Sequence, residues 1–226
     1  MNFLFINLNG VAAANKGYWM RNLKRKLKVD VIGLQETRQM GLSDIDLRRF
    51  WDSSSMQSCV VDSVGRSGGL ALMWNPTVFS DASTLKNQRF LLVSSKIRGI
   101  EGSLNMINLH APNDASQRRL FWNKIAELIS QRSGLWILFS DFNDVREENE
   151  HVNSRFDRGA IDAFNEFINT AGLLEYPLTG GKFTYVLGHA DVKMSKLDRF
   201  LVNDEFLTSG RWLKWKSRTE VPLIIV

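Results

Sequence analysis

The sequence predicts an α/β (α+β) fold, a sandwich of layers in which short buried strands are covered by a few outer helices. Three observations carry this. Eight short apolar runs bounded by turn-forming residues recur along the chain. Three segments between them repeat their apolar residues at helical spacing. The composition, 44% hydrophobic and 23% charged in 226 residues, suits a packed core, and no run reaches the roughly 18 apolar residues of a membrane helix. Residues 1–226 are expected to form one domain.

Taken in order, the first strand is Phe3 to Leu8. The opening MNFLFINLNG lacks a basic start and meets Asn and Gly too early for a signal peptide, so it reads as a strand. Lys16 to Leu27 follows as an amphipathic helix, with Trp19, Leu23 and Leu27 four residues apart. Strands are expected at Val29–Leu34, Cys59–Val61, Gly69–Trp74, Phe90–Ser94 and Leu104–Leu109, with loops at Ser53–Ser55 and Arg66–Gly69. Ser116 to Ile129 is the second helix, with Asp114 and Ser116 as candidate N-caps. Leu135–Phe139, a third helix at Arg158–Ala171 and Phe183–Val186 complete the set. Trp122 and Trp136 lie in apolar runs and are expected in the core. No internal repeat or flexible linker interrupts the pattern. A lone Cys59 excludes an internal disulfide and a cysteine zinc site, and fits an intracellular, reducing compartment without a disulfide-linked partner.

The net charge is +5 and unevenly placed. Residues 16–28 hold six basic side chains and no acid, and residues 193–218 hold seven against three acids, so the rest of the chain is net acidic. Such segments fit two readings equally: a nucleic-acid footprint or solvated helix faces.

Several strands end on unusual polar residues: Asn7-Leu8-Asn9-Gly10, Leu34-Gln35-Glu36-Thr37, Asn108-Leu109-His110-Ala111-Pro112-Asn113 and Ser140-Asp141-Phe142-Asn143. Asp198 lies inside the apolar stretch Lys196-Leu197-Asp198-Arg199-Phe200-Leu201, where a lone carboxylate is costly. Loops at strand ends are where rigid scaffolds carry chemistry. Glu36, Asp141 and Asp198 could converge on a hard divalent ion, with Asn7 and Asn143 as neutral partners. Any one of these carboxylates alone is more often a cap or turn former. His110 alone reads as a hydrogen-bonded strand-end histidine, and His151 and His189 as non-catalytic.

The ordered set INLNG, GLQETR, GRSGGLALMWNP, INLHAPN, FSDFNDV, FTYV and SKLDRFLV resembles the endonuclease/exonuclease/phosphatase superfamily, with its deoxyribonuclease I-like fold. Within it, HAPN…R…FW, SDFN and SKLDRFLV look most like the apurinic/apyrimidinic-type endonuclease domain of plant LINE (non-LTR) retrotransposons. The resemblance runs from Asn2 to about Phe206. It implies a four-layered α/β sandwich of two mixed β-sheets flanked by helices, and Mg²⁺- or Mn²⁺-dependent cleavage of phosphate esters. It assigns Glu36 and Asn7 to the metal, and Asp141 to orienting or deprotonating the attacking water. Asn143 and Asn113 go to the substrate phosphate, and Asp198 to supporting a catalytic histidine. DNA is the implied partner, which would place the protein in the nucleus, and no membrane is involved. Oligomeric state is left open.

The sequence departs from that pattern at Asn9, where aspartate is common, at His110, where tyrosine is usual, and at Ser140, where glycine is usual. The resemblance also implies a closing Ser-Asp-His segment, yet no Asp-His pair occurs among these residues. The expectation is therefore a domain incomplete at its C-terminus, lacking its last strand, with Val221–Val226 filling part of that place. Nuclease activity should be weak or absent. A catalytically dead nucleic-acid-binding remnant and a phosphatase on nucleotides or inositol phosphates are the alternatives.

Overall fold

Period-two alternation in the first strand, β1 (Phe3–Asn7), divides its side chains between two cores. Phe3 and Phe5 pack inward against a second sheet, and Leu4 and Ile6 pack outward beneath helices. The computed structural model describes all residues except 12–13, 66, 154–156, 178–180, 189–190, 210–215, 219–222 and 226.

After β1 the chain forms α1 (Ala14–Leu27), β2 (Val31–Gln35), α2 (Asp44–Arg48), β3 (Gln57–Val61) and β4 (Leu70–Trp74). Next come β5 (Phe79–Asn87), β6 (Phe90–Ile97), β7 (Ser103–Leu109), α3 (Ala115–Ser130) and β8 (Leu135–Asp141). A 3₁₀ turn at Glu148–Glu150 leads to β9 (His151–Val152), α4 (Arg158–Thr170), β10 (Leu173–Glu175), β11 (Tyr185–Leu187), β12 (Lys193–Ser195) and β13 (Asp198–Asn203). The described chain closes with α5 (Asp204–Thr208), β14 (Lys216–Arg218) and β15 (Leu223–Ile225).

One sheet has the order β14-β15-β1-β2-β4-β3 and the other β10-β13-β8-β7-β6-β5. Each contains one parallel pair, β1–β2 joined through α1 and β7–β8 joined through α3, flanked by antiparallel neighbours. A crossover helix must return the chain to the starting end of its sheet, so both parallel pairs finish at one rim. The core between the sheets is built on Phe3, Phe5, Leu72, Trp74, Leu91, Met106, Phe139 and Phe200. Gly33 faces Phe139 there, and a Cβ at that position would run into the ring, so glycine sets the close approach of the two sheets. Trp122 and Trp136 join a second core under α3 and α4, and Trp51 and Met20 a third under α1 and α2. The result is the expected four-layered α/β sandwich.

Asp114 caps α3, its carboxylate accepting from the Gln117 N–H, as expected of one of the two candidates. The chain also forms elements not anticipated. β5 is mostly exposed and polar, so it lacks an apolar run. β13 begins on Asp198 and Arg199, which broke the apolar pattern, and β9 and β12 join β11, which overlaps the strand expected at Phe183–Val186, in a small separate sheet. Leu223–Ile225 pairs antiparallel with β1 at Leu4 to Ile6, inside the segment expected to fill a strand position.

Candidate active site

The rim where β1, β2, β7 and β8 end gathers the polar residues singled out in the sequence. Asn7 closes β1 opposite Gln35, and its amide donates to Glu36 Oε1 at 3.4 Å. Glu36 Oε2 accepts from Arg38 at 2.7 Å. Glu36 and Arg38 both adopt left-handed backbone, φ +48° and +52°, as do Asn9 at +48° and Asn143 at +54°. Asparagine tolerates that region, but for glutamate and arginine it costs on the order of 1 kcal/mol each. The turn is held by Gly10 N–H to the Glu36 carbonyl at 2.7 Å, and by Thr37 and Arg38 N–H to Gly69 and Gly68. Strain of this kind gathers where a side chain must be aimed.

The other sheet supplies Asp141 and Asp198, cross-strand partners in the antiparallel β8–β13 pair. Burial, with the charge of Glu36 adding to it, raises the Asp141 carboxyl to about 6. Burial and then the neighbouring Asp141 push Asp198 well above the usual carboxylate range. Burial and the neighbouring carboxylate therefore both favour the protonated form of Asp198. The hydroxyl of Thr184 bonds the Asp198 carboxylate, and its oxygen accepts from the Leu197 and Asp198 N–H groups, each at 3.0 Å. Thr184 is therefore a hydrogen-bond partner of the Asp198 side chain and backbone. Asn143 receives its shape from the same strand end: its N–H donates to Asp141 Oδ1 at 3.0 Å and its amide to the Ala111 carbonyl at 3.0 Å.

His110 follows β7, its N–H on the Arg89 carbonyl at 2.8 Å. Burial lowers its imidazole below 6.5, so the ring is neutral at neutral pH. It lines a cavity of about 210 Å³ together with Gly68, Gly69, Ser67 and Arg89. Asn113 is exposed on the next loop. His151 lies in β9 beside a smaller cavity that also includes Asn143, and His189 lies outside the described residues.

Two amides that stood in those strand ends without an assigned role join the half-sites. Gln35 is fully buried: its Nε2 donates to the Leu109 carbonyl and to Ser140 Oγ, and its Oε1 accepts from the Asp141 N–H at 3.3 Å. Asn108 donates across the sheets to the Leu34 and Ala71 carbonyls at 2.9 and 3.0 Å. The signal for both was a polar residue on a strand face otherwise apolar, which demands a buried partner.

The basic segments are less of a footprint than their charge suggested. Lys24 is buried on Asp52 at 2.9 Å and over the Trp51 ring, Lys16 donates to the Leu8 and Gly10 carbonyls, and Arg21 to that of Arg49. The exposed Arg25, Lys26 and Lys28 fall at the end of α1 away from the rim. In the second segment, Arg199 and Lys196 form a buried network with Glu150 and Glu175. Arg211 and Lys214 lie outside the described residues.

Among the described residues, no three His, Cys, Asp or Glu side chains gather as a metal cage. The donors at the rim are nonetheless hard oxygens, Glu36 with the Asn7 amide oxygen. Such a pair fits Mg²⁺ or Mn²⁺, of which Mg²⁺ takes one or two carboxylates and keeps several waters. Among the described residues, no helix is long and apolar enough to cross a membrane.

The fold is shared with solved structures of low sequence identity. The catalytic domain of APE2 from Xenopus laevis superposes with a TM-score of 0.75 at 17% identity, over 100% of this chain and 90% of that one. The endonuclease domain of TRAS1, a telomere-specific non-LTR retrotransposon, gives 0.66 at 12% identity, over 99% and 96%. The 3′ phosphatase NExo from Neisseria, bound to product DNA hairpin, gives 0.70 at 14%, over 100% and 98%. No curated protein sequence matches the chain. The endonuclease/exonuclease/phosphatase family model matches residues 4–218, and with the sandwich and its polar rim in place the chain belongs to that family.

Proposed function

We propose that the chain is a divalent-metal-dependent phosphodiesterase that cuts DNA, an endonuclease domain of plant LINE-type retrotransposon origin working in the nucleus. One observation carries the reading: Glu36 and Asn7 from one sheet meet Asp141 from the other at a single rim, tied by Gln35. Family enzymes depend on a divalent metal. When bound, Mg²⁺ would neutralise charge on a phosphate oxygen. Glu36 and Asn7 would hold the ion. Asp141, ionised above about 6, takes a proton from the attacking water. Asn143 and Asn113 offer amide donors to the phosphate without adding negative charge. Asp198, whose protonated form burial favours, lies cross-strand from Asp141 as its neighbour. His110 presents a neutral imidazole at the same edge.

These 226 residues contain no Asp-His pair, and an acid–base group of that kind is typically worth about 10²- to 10⁴-fold in rate. The chain by itself is accordingly a slow nuclease. The test is nicking of supercoiled plasmid with Mg²⁺ or Mn²⁺, comparing the chain with Glu36→Gln and Asp141→Asn. Slow nicking abolished by either substitution is expected. Ordinary nuclease rates would overturn the slow-enzyme reading, and salt-sensitive DNA binding without any turnover would favour the dead binding remnant. Release of phosphate from 3′-phosphorylated DNA or inositol phosphates without nicking would favour a phosphatase.

A further inference from the structure

Asn113 and Asn143 come from different loops, and one buried ion pair fastens those loops together. Arg118, in the first turn of α3, donates from Nε and Nη2 to the two carboxylate oxygens of Asp144, each at 2.7 Å. Its Nη1 donates to the carbonyls of Pro112 at 3.1 Å and Asn113 at 2.6 Å. Arg118 is 8% exposed and Asp144 is 5% exposed. Asp144 is the residue after Asn143, whose own amide crosses to Ala111 in the facing loop. A guanidinium fork fixes both the distance and the angle of its carboxylate, which a lysine ammonium does not. Buried pairs add little net stability compared with apolar residues of similar volume, so packing is a weak account of this one.

We propose that Arg118 and Asp144 form a positioning pair, setting the separation and direction of the Asn113 and Asn143 amides at the phosphate-binding edge. The inference rests on the assignment of those asparagines to substrate phosphate. Neither Arg118 nor Asp144 touches the substrate. Both act through the loops they join.

The experiment uses the full chain, labelled with ¹⁵N, and follows the side-chain amide resonances of Asn113 and Asn143 while inorganic phosphate is added. Thermal unfolding is measured in parallel on wild type, Arg118→Lys, the near-isosteric Asp144→Asn, and the apolar double variant Arg118→Met/Asp144→Leu. The double variant is expected to unfold close to wild type while its phosphate Kd rises by about tenfold or more, the scale of lost outer-shell support. The Asn143 resonance should leave its hydrogen-bonded position at the same time. Arg118→Lys and Asp144→Asn should show the same loss, and they carry the test should the double variant not fold. Unchanged resonances and phosphate affinity in the folded variants would overturn the proposal and leave the pair a packing device. Wild-type amides that respond to phosphate in a chain that never nicks DNA would strike the nuclease reading alone. Wild-type amides that ignore phosphate would overturn both.

Discussion

Arg199→Met should destabilise the protein by about 3 kcal/mol, the low end of the roughly 3–5 kcal/mol seen when a buried pair loses one member. Arg199 has no exposed surface. Its Nη1 donates to Glu175 at 2.9 and 3.0 Å and to Glu150 at 3.0 Å, and its Nη2 donates to Glu150 at 2.5 Å and to the Lys196 carbonyl at 2.8 Å. Methionine fills much of the space but leaves two buried carboxylates. They would keep Lys196, at 2.5 Å from Glu175 and 3.4 Å from Glu150, Arg146, at 3.2 Å from Glu175, and on Glu150 the N–H groups of Arg146 at 2.6 Å and Glu147 at 3.4 Å. Those remaining cations place the cost at the low end. At about 2–4 °C per kcal/mol for a chain of this size, Tm at pH 7 should fall by roughly 6–12 °C. The pH dependence gives a second handle. Burial pushes Glu150 up, but hydrogen bonds and charge from Arg199 overcome it and hold the carboxyl at about 2, down from 4.5. A depressed carboxyl adds stability that is complete above its unfolded value and is lost as pH falls through its folded one. Wild type should therefore lose Tm between pH 4.5 and 2, and Arg199→Met should lose less over that window. A variant that melts within about 2 °C of wild type at pH 7, with an unchanged acid limb, would refute the reasoning.

Other substitutions probe the rim. Gln35→Leu orphans the Asp141 N–H and removes a donor from Leu109, so it should cost about 1–3 kcal/mol per stranded group in denaturant unfolding and slow plasmid nicking as well. Glu36→Gln should abolish Mn²⁺ binding in calorimetry while the fold survives, since Glu36 is a rim residue rather than a core one. The nicking rate of wild type should rise with pH up to about 6 and level off above it, because Asp141 is active once ionised. Asp141→Asn should remove that limb along with about 10²- to 10⁴-fold in rate. Gly33→Ala drives a methyl into Phe139 and should cost about 1–3 kcal/mol by overpacking, read as a lower urea midpoint.

Strands buried on both faces were the most legible part of the sequence. β2, β4 and β7 are nearly continuous apolar runs, and α3 advertised its cap at Asp114. β5 was illegible because its side chains face water, and β13 because its first two residues carry opposite charges to opposite faces. At the site, Glu36, Asn7 and Asp141 stood out because each ends a strand. Gln35 and Asn108 lay in the same strand ends but gave no role away, since their significance lies in carbonyls 74 residues away. The same limit hid the pairing of Arg118 with Asp144, and it let buried Lys24 and Arg199 pass as surface charge.

The glycine that lets the sheets approach at Gly33 has a consequence for chemistry as well as packing. The residues proposed to hold the ion belong to one sheet and the residue proposed to activate water belongs to the other, so their separation is a property of the whole sandwich. Gln35 and Asn108 act as spacers of fixed length across that gap. A substitution in the interior that wedges the layers apart by a fraction of an ångström would lengthen the distance between ion and nucleophile without touching either. Variants that thicken the core should therefore lose rate before they lose fold.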